Sequence, residues 1–474
     1  MRKDPVRLAP ARRRLLKAGV GAGATLLAGA GWGAGPSSAT FRPLSLHAPL
    51  LSLAALRTRV LDNGLELLTV PTEGSTVSVQ VWYRVGGKDD PAGRSGFAHL
   101  FEHMMFKRTR YMANEQFDRM TEDVGGSNNA FTADDMTAYH CVVPANHLEP
   151  ILWAEAERMS NLTVDQANFD SERAVVKEEY RQTVLADPYG RLFNAVPGLG
   201  YQRHPYRRPV IGNIEELDAA TLRDVSDFHA NYYRPDNAVL IIAGAFDAKR
   251  LDAAVDRYFG SIRRPAAPIP RSQLVEPRRM RDESHTLAAS SASMPAALLI
   301  WQGPKAGSVD ASAWALAQAL LAQGDSSRLF EALVFRDQLA QSVGFEAQLN
   351  AEAGLLVAHA IGAPGRKAAA LVQPLAREVQ RLAEEPIRPE ELNKAKTQLL
   401  TAALIKRQTP QGLGELLGTA ALLRGDAAAA QRELQELQQL TVSDVQRVMR
   451  RDVLQGARVN VMYSSEPSAA LGRA

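Results

Sequence analysis

The chain has 474 residues, of which 46% are hydrophobic and 23% are charged, and its formal net charge is +3. This is the composition of a globular protein, and the length is enough for two or more domains that each bury a core. The single cysteine, Cys141, excludes an internal disulfide and a multi-cysteine zinc site. Any metal must therefore be held by histidine and carboxylate ligands.

The segment 1–39 has the three parts of an export signal. A basic run, Arg12–Lys17, precedes an Ala/Gly/Leu stretch that ends near Gly35, and the small pair Ser38-Ala39 offers a cleavage position. The order Arg-Arg-x-Leu-Leu-Lys resembles a twin-arginine signal, which predicts a periplasmic or otherwise exported bacterial protein. A disordered basic tail is the alternative, and an uncleaved signal would leave the chain anchored to a membrane.

The apparent basicity of the chain belongs to this segment. Residues 1–39 hold seven of the 55 basic residues and one of the 52 acidic residues, so the remainder carries 48 basic and 51 acidic residues. No basic patch indicates nucleic-acid binding, and no later segment is apolar enough to span a bilayer. We therefore expect neither nucleic acid nor a permanent membrane span.

Residues 48–262 carry the pattern of one α/β domain. Alternating or β-branched runs predict strands at 57–60, 66–70, 77–85, 131–143 and 238–243. Apolar residues at helical spacing predict helices at 95–106, 114–124, 147–161, 165–185 and 217–232.

A segment rich in proline and arginine, residues 263–281, is the predicted linker to a second domain at 282–466. The two halves share a short repeat at a constant displacement, in which a threonine caps a helix that leads to a strand: Thr221, Asp224 and Val225 recur as Thr441, Asp444 and Val445. A chance similarity of two capped helices is the alternative. The same displacement places Leu399 opposite Glu179, so the second domain is predicted to lack metal ligands.

The string His99-Leu-Phe-Glu102-His103 carries the chemistry of the first domain. Residues four apart on a helix lie one turn above each other, so both imidazoles can reach one zinc ion. Glu102 lies on the same side but offset, where it can act on water without being a ligand. A surface helix with an internal ion pair is the alternative, but the flanking phenylalanines, leucine and methionines disfavour an exposed face.

A catalytic zinc needs a third protein ligand, and the predicted helix 165–185 offers carboxylates. Glu172 and Glu179 are seven residues apart and share a helix face, with Val175 and Val176 between them indicating that this face is buried. A buried carboxylate needs a cation, which zinc would supply to Glu179 while Glu172 orients a histidine. Spacing alone leaves open an ordinary exposed glutamate at position 179.

These residues carry a resemblance to the pitrilysin/insulinase family, specifically to its shorter bacterial members akin to mitochondrial processing peptidase. The resemblance extends from about Arg57 to Ser464, and its motifs are His99-x-x-Glu102-His103, Glu172…Glu179, Asn129-Ala-Phe-Thr132…Asp135-x-Thr137-x-Tyr139, His204–Gly212 and Tyr233–Asn237. The family places its third ligand at a characteristic spacing after the second histidine. Glu179 stands at that spacing from His103, whereas Glu178 is one position too close, and the resemblance therefore favours Glu179.

The resemblance implies an α+β fold of two homologous domains, each an antiparallel-rich sheet packed against helices, facing each other across a chamber. It also implies that Asn129, Ala130, Phe131 and Thr132 lie on an edge strand and bind substrate by main-chain pairing. Ordinary turn and strand chemistry is the alternative for these four residues.

In the second half, Ser326–Leu333 resembles the family's segment ahead of an Arg and a Tyr seven residues apart, which contact substrate and help stabilise the reacting carbonyl. Val334 and Gln341 stand at those positions, and the nearby Arg336 is two residues out of place. We therefore expect a homologous partner subunit that carries the Arg/Tyr pair.

The sequence thus predicts a zinc metalloendopeptidase with one Zn²⁺ per chain, which hydrolyses peptides or unfolded polypeptides. The alternatives are a non-catalytic assembly subunit of the same fold, or a zinc-binding or peptide-carrier module in the periplasm. Relatives that serve only in assembly usually lose the His/Glu set, and this chain keeps it.

Overall fold

The computed structural model describes residues 55–465. The predicted export signal, residues 1–39, lies outside the described residues, as do the outer ends of both predicted domains, so those boundaries stay predictions. Among the helices that are described, none combines the length and the apolar character that crossing a membrane requires.

The first half contains six strands and nine α-helices within the described residues. The strands are β1 Arg57–Val60, β2 Glu66–Pro71, β3 Thr76–Tyr83, β4 Ser127–Thr132, β5 Thr137–Pro144 and β6 Ala238–Gly244. The helices are α1 Phe97–Met104, α2 Gln116–Glu122, α3 Leu148–Asn161, α4 Gln166–Tyr180, α5 Gly190–Asn194, α6 Val196–Gly200, α7 Ile214–Asp218, α8 Leu222–Tyr232 and α9 Ala248–Phe259.

The second half contains five strands and six α-helices, again within the described part of the chain. The strands are β7 Glu283–Ala288, β8 Ala296–Gly303, β9 Ala340–Leu349, β10 Gly354–Gly362 and β11 Arg458–Ser464. The helices are α10 Ala311–Ala322, α11 Ala368–Glu384, α12 Pro389–Arg407, α13 Pro410–Leu423, α14 Ala429–Gln439 and α15 Val442–Met449.

The two sheets have the same topology. The first has the strand order β1-β2-β6-β3-β5-β4 and the second has the order β7-β11-β8-β10-β9. Without β1 the orders correspond strand for strand, and the parallel pair β2–β6 matches the parallel pair β7–β11, while every other pair is antiparallel. Two similar α+β halves are thereby confirmed.

The predicted repeat of helix caps is also confirmed. Thr221 accepts a hydrogen bond from the backbone N–H of Asp224 at the start of α8, and Thr441 does the same with Asp444 at the start of α15. In both copies the aspartate side chain accepts a bond from the threonine backbone, which completes a capping box. The displacement from Thr221 to Thr441 therefore joins equivalent positions in the two halves.

Helices of each half pack on the sheet of the other half. Leu413 and Leu417 of α13 pack on the face of the first sheet, where they meet β6 and β3. Leu192 of α5 and Val196 of α6 pack in the same way on the second sheet, against β8, β10 and β11. Burying a leucine side chain contributes roughly 1.5–3 kcal/mol, so this exchange holds the halves together.

The predicted linker contains no helix or strand between residues 263 and 282, but it is fixed along its length. Arg271 donates to the backbone carbonyl of Arg84 at 2.7 Å. The carboxylate of Glu276 accepts from the backbone N–H groups of Gln202 (2.7 Å) and His204 (2.8 Å). The linker is therefore an ordered connection that lies against the first half.

A polar clasp joins the turn between β4 and β5 to the turn between β9 and β10. Lys88 Nζ lies 2.8 Å from Asp135 Oδ1 and 2.6 Å from Glu352 Oε1, which places one partly buried cation between carboxylates of the two halves. Asp135 Oδ2 also accepts from the backbone N–H of Ala351, and Asp134 Oδ2 accepts from the Asn350 side chain. The clasp fixes the end of β4 relative to the second half.

Two element predictions for the first half are wrong. The predicted strand 131–143 is a hairpin, because the backbone turns at Ala133–Met136, where Asp134 and Asp135 provide turn chemistry inside a run of strand-forming residues. The predicted helix 217–232 is two helices, α7 and α8, because Thr221 caps a new start.

Candidate active site

Helix α1 is held by an acidic cap and an apolar face. The backbone N–H groups of Gly96 and Ala98 donate to the carboxylate of Asp90, at 2.6 and 2.9 Å, which satisfies orphan donors at the helix start. Gly96 has φ +91°, a conformation that favours glycine. Phe97 and Phe101 are buried in the core of the first half. The opposite face of α1 is left for polar residues.

Helix α4 packs beside α1 and brings Glu179 to the two histidines. Glu179 Oε2 lies 3.2 Å from His99 Nε2 and 3.5 Å from His103 Nε2. The side chains are 15% (His99), 17% (His103) and 23% (Glu179) exposed, so the cluster is shielded but reachable. Three residues from two helices therefore converge on one point, with both Nε2 atoms facing the same carboxylate oxygen.

The other nitrogen of His103 meets a second carboxylate of α4. Glu172 Oε2 lies 3.4 Å from His103 Nδ1, and Glu172 Oε1 lies 2.7 Å from Lys107 Nζ. Glu172 is 1% exposed. Burying a carboxylate is costly without polar or cationic partners, which His103 and Lys107 provide. An Nδ1 contact of this kind fixes the orientation of an imidazole and leaves Nε2 free to bind a metal.

The electrostatics of the cluster favour positive charge. Burial lowers the pKa of His99, but its contacts with Glu102 and Glu179 outweigh burial and raise that pKa to about 10. The pKa of His103 is raised in the same way against burial, by Glu172 and Glu179. Burial raises the pKa of Glu179, yet the two histidines bring it far below its ordinary value. Such a cluster stabilises a cation placed within it.

The donor set fits zinc. Among the described residues, one group of possible metal ligands stands out, formed by His99, His103 and Glu179, whose ligand atoms lie within 4.8 Å of one another. Two imidazoles and a glutamate are a ligand set of catalytic zinc sites, with a fourth position left open. Zinc bonds of about 2.0–2.1 Å in a tetrahedron separate ligand atoms by roughly 3.3 Å. The observed separations of 3.2 and 3.5 Å match that value.

Glu102 lies at the edge of this cluster and is tied to strand β4. The hydroxyl of Thr132 donates to Glu102 Oε2 at 2.6 Å, and His99 Nδ1 lies 3.3 Å from the same oxygen. Burial raises the pKa of Glu102, but the contacts with His99 and Thr132 outweigh it and lower that pKa below its ordinary value. The carboxylate is therefore ionised at neutral pH, as a proton acceptor must be.

Strand β4, which holds Asn129, Ala130, Phe131 and Thr132, is an edge of the first sheet. Ala130 and Thr132 point towards α1, since Ala130 joins the core there and Thr132 reaches Glu102. Phe131 points to the other face, where its ring lies 5.3 Å from that of Trp82. The four predicted substrate residues thus share the strand's open edge but divide their side chains between two faces.

In the second half, neither of the two positions where the family resemblance expects an arginine and a tyrosine carries a cationic side chain. Gln341 lies in β9 and Val334 in a helical segment at 330–336. Arg336 pairs with Asp337 at 2.8 Å and approaches Glu378 at 3.5 Å. Its guanidinium is therefore engaged locally, in addition to being two residues away from the position that the family resemblance gives to the arginine.

Some contributors escaped the sequence prediction. Lys107 lies four residues after His103 and so continues the spacing between His99 and His103. It was not predicted because the predicted helix, 95–106, ended before it, as α1 does in the structure. Asp90 had no signal, since its partners are backbone groups several residues away. Val175 was expected on a buried face, but it is 38% exposed, whereas Val176 is buried.

Two protein-family models match the chain, one after the other. The model described as insulinase (peptidase family M16) matches residues 67–213, which contain the whole cluster. The model described as peptidase M16 inactive domain matches residues 219–399, which contain none of its members.

The relatives point to the same family. Zinc protease PqqE of Helicobacter pylori is 31% identical over 340 residues, 71% of this chain and 76% of that protein. The crystal structure of a protease from Helicobacter pylori superimposes with a TM-score of 0.83 at 27% identity, covering 86% of this chain and 99% of that one. The mitochondrial-processing peptidase subunit beta of Saccharomyces cerevisiae is 22% identical over 82% of this chain and 87% of that protein. This chain belongs to the pitrilysin/insulinase family of peptidases, family M16.

Proposed function

We propose that the chain is a zinc-dependent endopeptidase that hydrolyses peptides or unfolded polypeptides. The observation that carries the proposal is the convergence of His99 Nε2, His103 Nε2 and a carboxylate oxygen of Glu179 within 4.8 Å of one another. One Zn²⁺ per chain would occupy this point. The name of the Helicobacter relative, a zinc protease, supports the choice of metal and reaction class.

When bound, zinc supplies Lewis acidity that polarises the peptide carbonyl and lowers the pKa of water. The side chains of the site supply the rest. Glu102, ionised and within reach of the cluster, takes a proton from the attacking water and delivers it to the leaving amine nitrogen. Glu172 holds His103 through Nδ1, so the imidazole keeps its orientation while the proton moves.

Substrate binding follows from the position of β4. An edge strand presents unpaired N–H and C=O groups, and an extended peptide can add to it as a further strand. Such pairing depends on the main chain and tolerates many sequences, which suits the cleavage of unfolded polypeptides. Asn129–Thr132 would bind substrate through these groups, beside the residue that activates water.

A homologous partner subunit that carries the Arg/Tyr pair would complete the site. Val334 and Gln341 stand where the pair is expected, and Arg336 is held by acidic neighbours. The yeast relative is named as one subunit of a processing peptidase, which supports a paired arrangement. The twin-arginine pattern, in turn, supports a periplasmic or exported setting, with a membrane contact only if the signal stays uncleaved.

The second candidate is a non-catalytic zinc-binding or assembly subunit of the same fold. The loss of the Arg/Tyr pair favours it, because electrostatic stabilisation of the reacting carbonyl is usually a large part of catalysis. The three proposed ligands and Glu172 argue against a purely structural assembly role, which needs none of them, and Glu102 argues against zinc binding without catalysis, since binding alone needs no proton acceptor.

Peptide hydrolysis with defined zinc content distinguishes the two candidates. We expect the zinc-loaded chain, mixed with the homologous partner from the same source, to cleave an unstructured peptide, and the Glu102→Gln variant with the same zinc content to be inactive. The chain without a partner should be slower. Stoichiometric zinc without cleavage in both preparations would reject the endopeptidase and leave the binding role.

A further inference from the structure

We infer that Thr132 is a positioning residue that fixes the carboxylate of Glu102, so that the edge strand β4 orients the base as well as receiving the peptide. The inference rests on the proposed function, because it assigns a role within that reaction. It differs from a substrate contact, which is what the family resemblance alone implies for Thr132.

The hydrogen bond between these side chains is short and direct. Thr132 Oγ1 lies 2.6 Å from Glu102 Oε2, a length typical of a hydroxyl that donates to an ionised carboxylate. Bonds of this type are about twice as strong as bonds between neutral groups. The Glu102 side chain is 13% exposed, so water competes weakly for the hydroxyl.

The contacts of Glu102 fall on one of its two oxygens. His99 Nδ1, at 3.3 Å, and Thr132 Oγ1 both approach Oε2. Within the described part of the chain, Oε1 is thus the oxygen left to receive a proton from water. A flexible glutamate held at one oxygen keeps the other in a defined direction, which a general base needs because proton transfer requires hydrogen-bond geometry.

Threonine at this position is suited to holding a neighbour. Its branched Cβ restricts χ1, so the hydroxyl has few directions available. The opposite residue on β5, Thr137, has a different partner, since its hydroxyl donates to the backbone carbonyl of Val85 at 2.9 Å. The main chain of β4 still faces the open edge, so orienting the base and pairing with a peptide do not compete.

The test compares Thr132→Val, which removes the hydroxyl, with Thr132→Ser, which keeps it, in the zinc-loaded chain with its partner. We expect Thr132→Val to lower kcat by roughly 10- to 100-fold with KM within twofold of the parent, and Thr132→Ser to recover most of that loss. Thr137→Val is the matched control, because it removes a buried threonine hydroxyl from the neighbouring strand without touching Glu102. Its kcat per folded molecule should equal that of the parent.

Two further measurements separate orientation from other roles. Zinc content should be unchanged in Thr132→Val, and the affinity of an uncleaved peptide for zinc-loaded Glu102→Gln should not change when Thr132→Val is added. The double variant should also be no slower than Glu102→Gln alone, because the hydroxyl then has no base to orient.

A raised KM with normal kcat would make Thr132 a substrate contact and overturn the inference. Unchanged kinetics in Thr132→Val, or a Thr132→Ser variant as slow as Thr132→Val, would overturn it as well, as would loss of zinc. In each of these cases the parent still cleaves peptide and the proposed function stands. The proposed function fails if the parent does not cleave the peptide, or if Glu102→Gln cleaves it equally well. The positioning role of Thr132 then fails with it.

Discussion

The two halves of the chain share a topology, but an equivalent pair of helices is joined by polar residues in the first half and by apolar residues in the second. In the first half, α1 and α4 enclose two histidines and two carboxylates. In the second half, α10 follows β8 and packs against α12, as α1 follows β3 and packs against α4. Helix α10 has no histidine or acidic residue, and its Leu316 and Leu320 are buried in a core that also receives Leu392 and Leu399 of α12.

The difference shows what the polar cluster requires. An apolar seam between two helices is stable by itself, because leucine burial is favourable. A seam of carboxylates and imidazoles is costly to bury unless its charges are paired or coordinate a metal. The fold therefore does not need the cluster, as its second copy demonstrates. The cluster is consistent with a bound cation, and the following predictions test that interpretation from the strongest effect to the weakest.

The largest effect is expected from Glu102→Gln. The amide keeps the shape of the side chain but cannot accept the proton of water, so kcat should fall by about 1,000-fold or more. Zinc content, measured by metal analysis, should stay at one per chain because Glu102 is not a proposed ligand. A variant that keeps more than a tenth of the parent's activity would remove Glu102 from the mechanism.

The next largest effect is expected from Glu179→Gln, which should weaken zinc binding. Replacing the carboxylate of this proposed ligand with an amide removes the negative charge that would offset the cation and leaves a weaker oxygen donor, so zinc affinity should fall by at least about 100-fold. Competition with a chelating dye measures this. Glu178→Gln is the matched control, since Glu178 is exposed and contacts Arg181 and Gln182 instead. Equal loss of zinc in both variants would contradict the assignment of Glu179.

A smaller effect is expected from Glu172→Gln, which weakens the contact with His103 without removing a ligand. Residues that orient a metal-bound histidine typically contribute 10- to 100-fold to affinity, so zinc binding should weaken by roughly that factor. Lys107→Met, which leaves Glu172 on His103, separates this effect from the loss of the Lys107 ion pair. If Lys107→Met loses zinc equally, Glu172 acts through the ion pair and not through the imidazole.

Much of the site could be predicted because its signals are local. His99, Glu102 and His103 are close in sequence, and helix geometry alone places their side chains on one side. The prediction of Glu179 also needed the family's spacing, because other glutamates of the chain lie in predicted helices with similar neighbours. The repeat at Thr221 and Thr441 was readable because a capping box is a short pattern.

The remainder depended on contacts between distant segments. No spacing rule joins Thr132 to Glu102, because one partner comes from a helix and the other from a strand well separated from it in sequence. The turn at Asp134 and Asp135 was missed, since strand-forming residues on both sides gave one continuous pattern. The packing of helices of each half on the sheet of the other half could not be predicted either. An apolar helix face indicates burial but not which sheet it packs against.

That exchange supplies the smallest predicted effect, which compares the two helix–sheet contacts. Gly418 of α13 lies against Trp82 of the first sheet, and an added Cβ would stand 2.4 Å from the fully buried indole. Gly200 of α6 lies against Leu355 of the second sheet, where the nearest atom is the end of a flexible side chain, also at 2.4 Å.

Gly418→Ala should therefore destabilise the protein by about 1–2 kcal/mol, because overpacking against a rigid ring outweighs the better helix propensity of alanine. Gly200→Ala should cost less, since Leu355 can change its rotamer. Urea unfolding of both variants measures the difference, with Gly307→Ala, whose Cβ would lie in nearly open space, as the control. If Gly418→Ala proved as stable as that control, α13 would not be closely packed on the sheet of the first half.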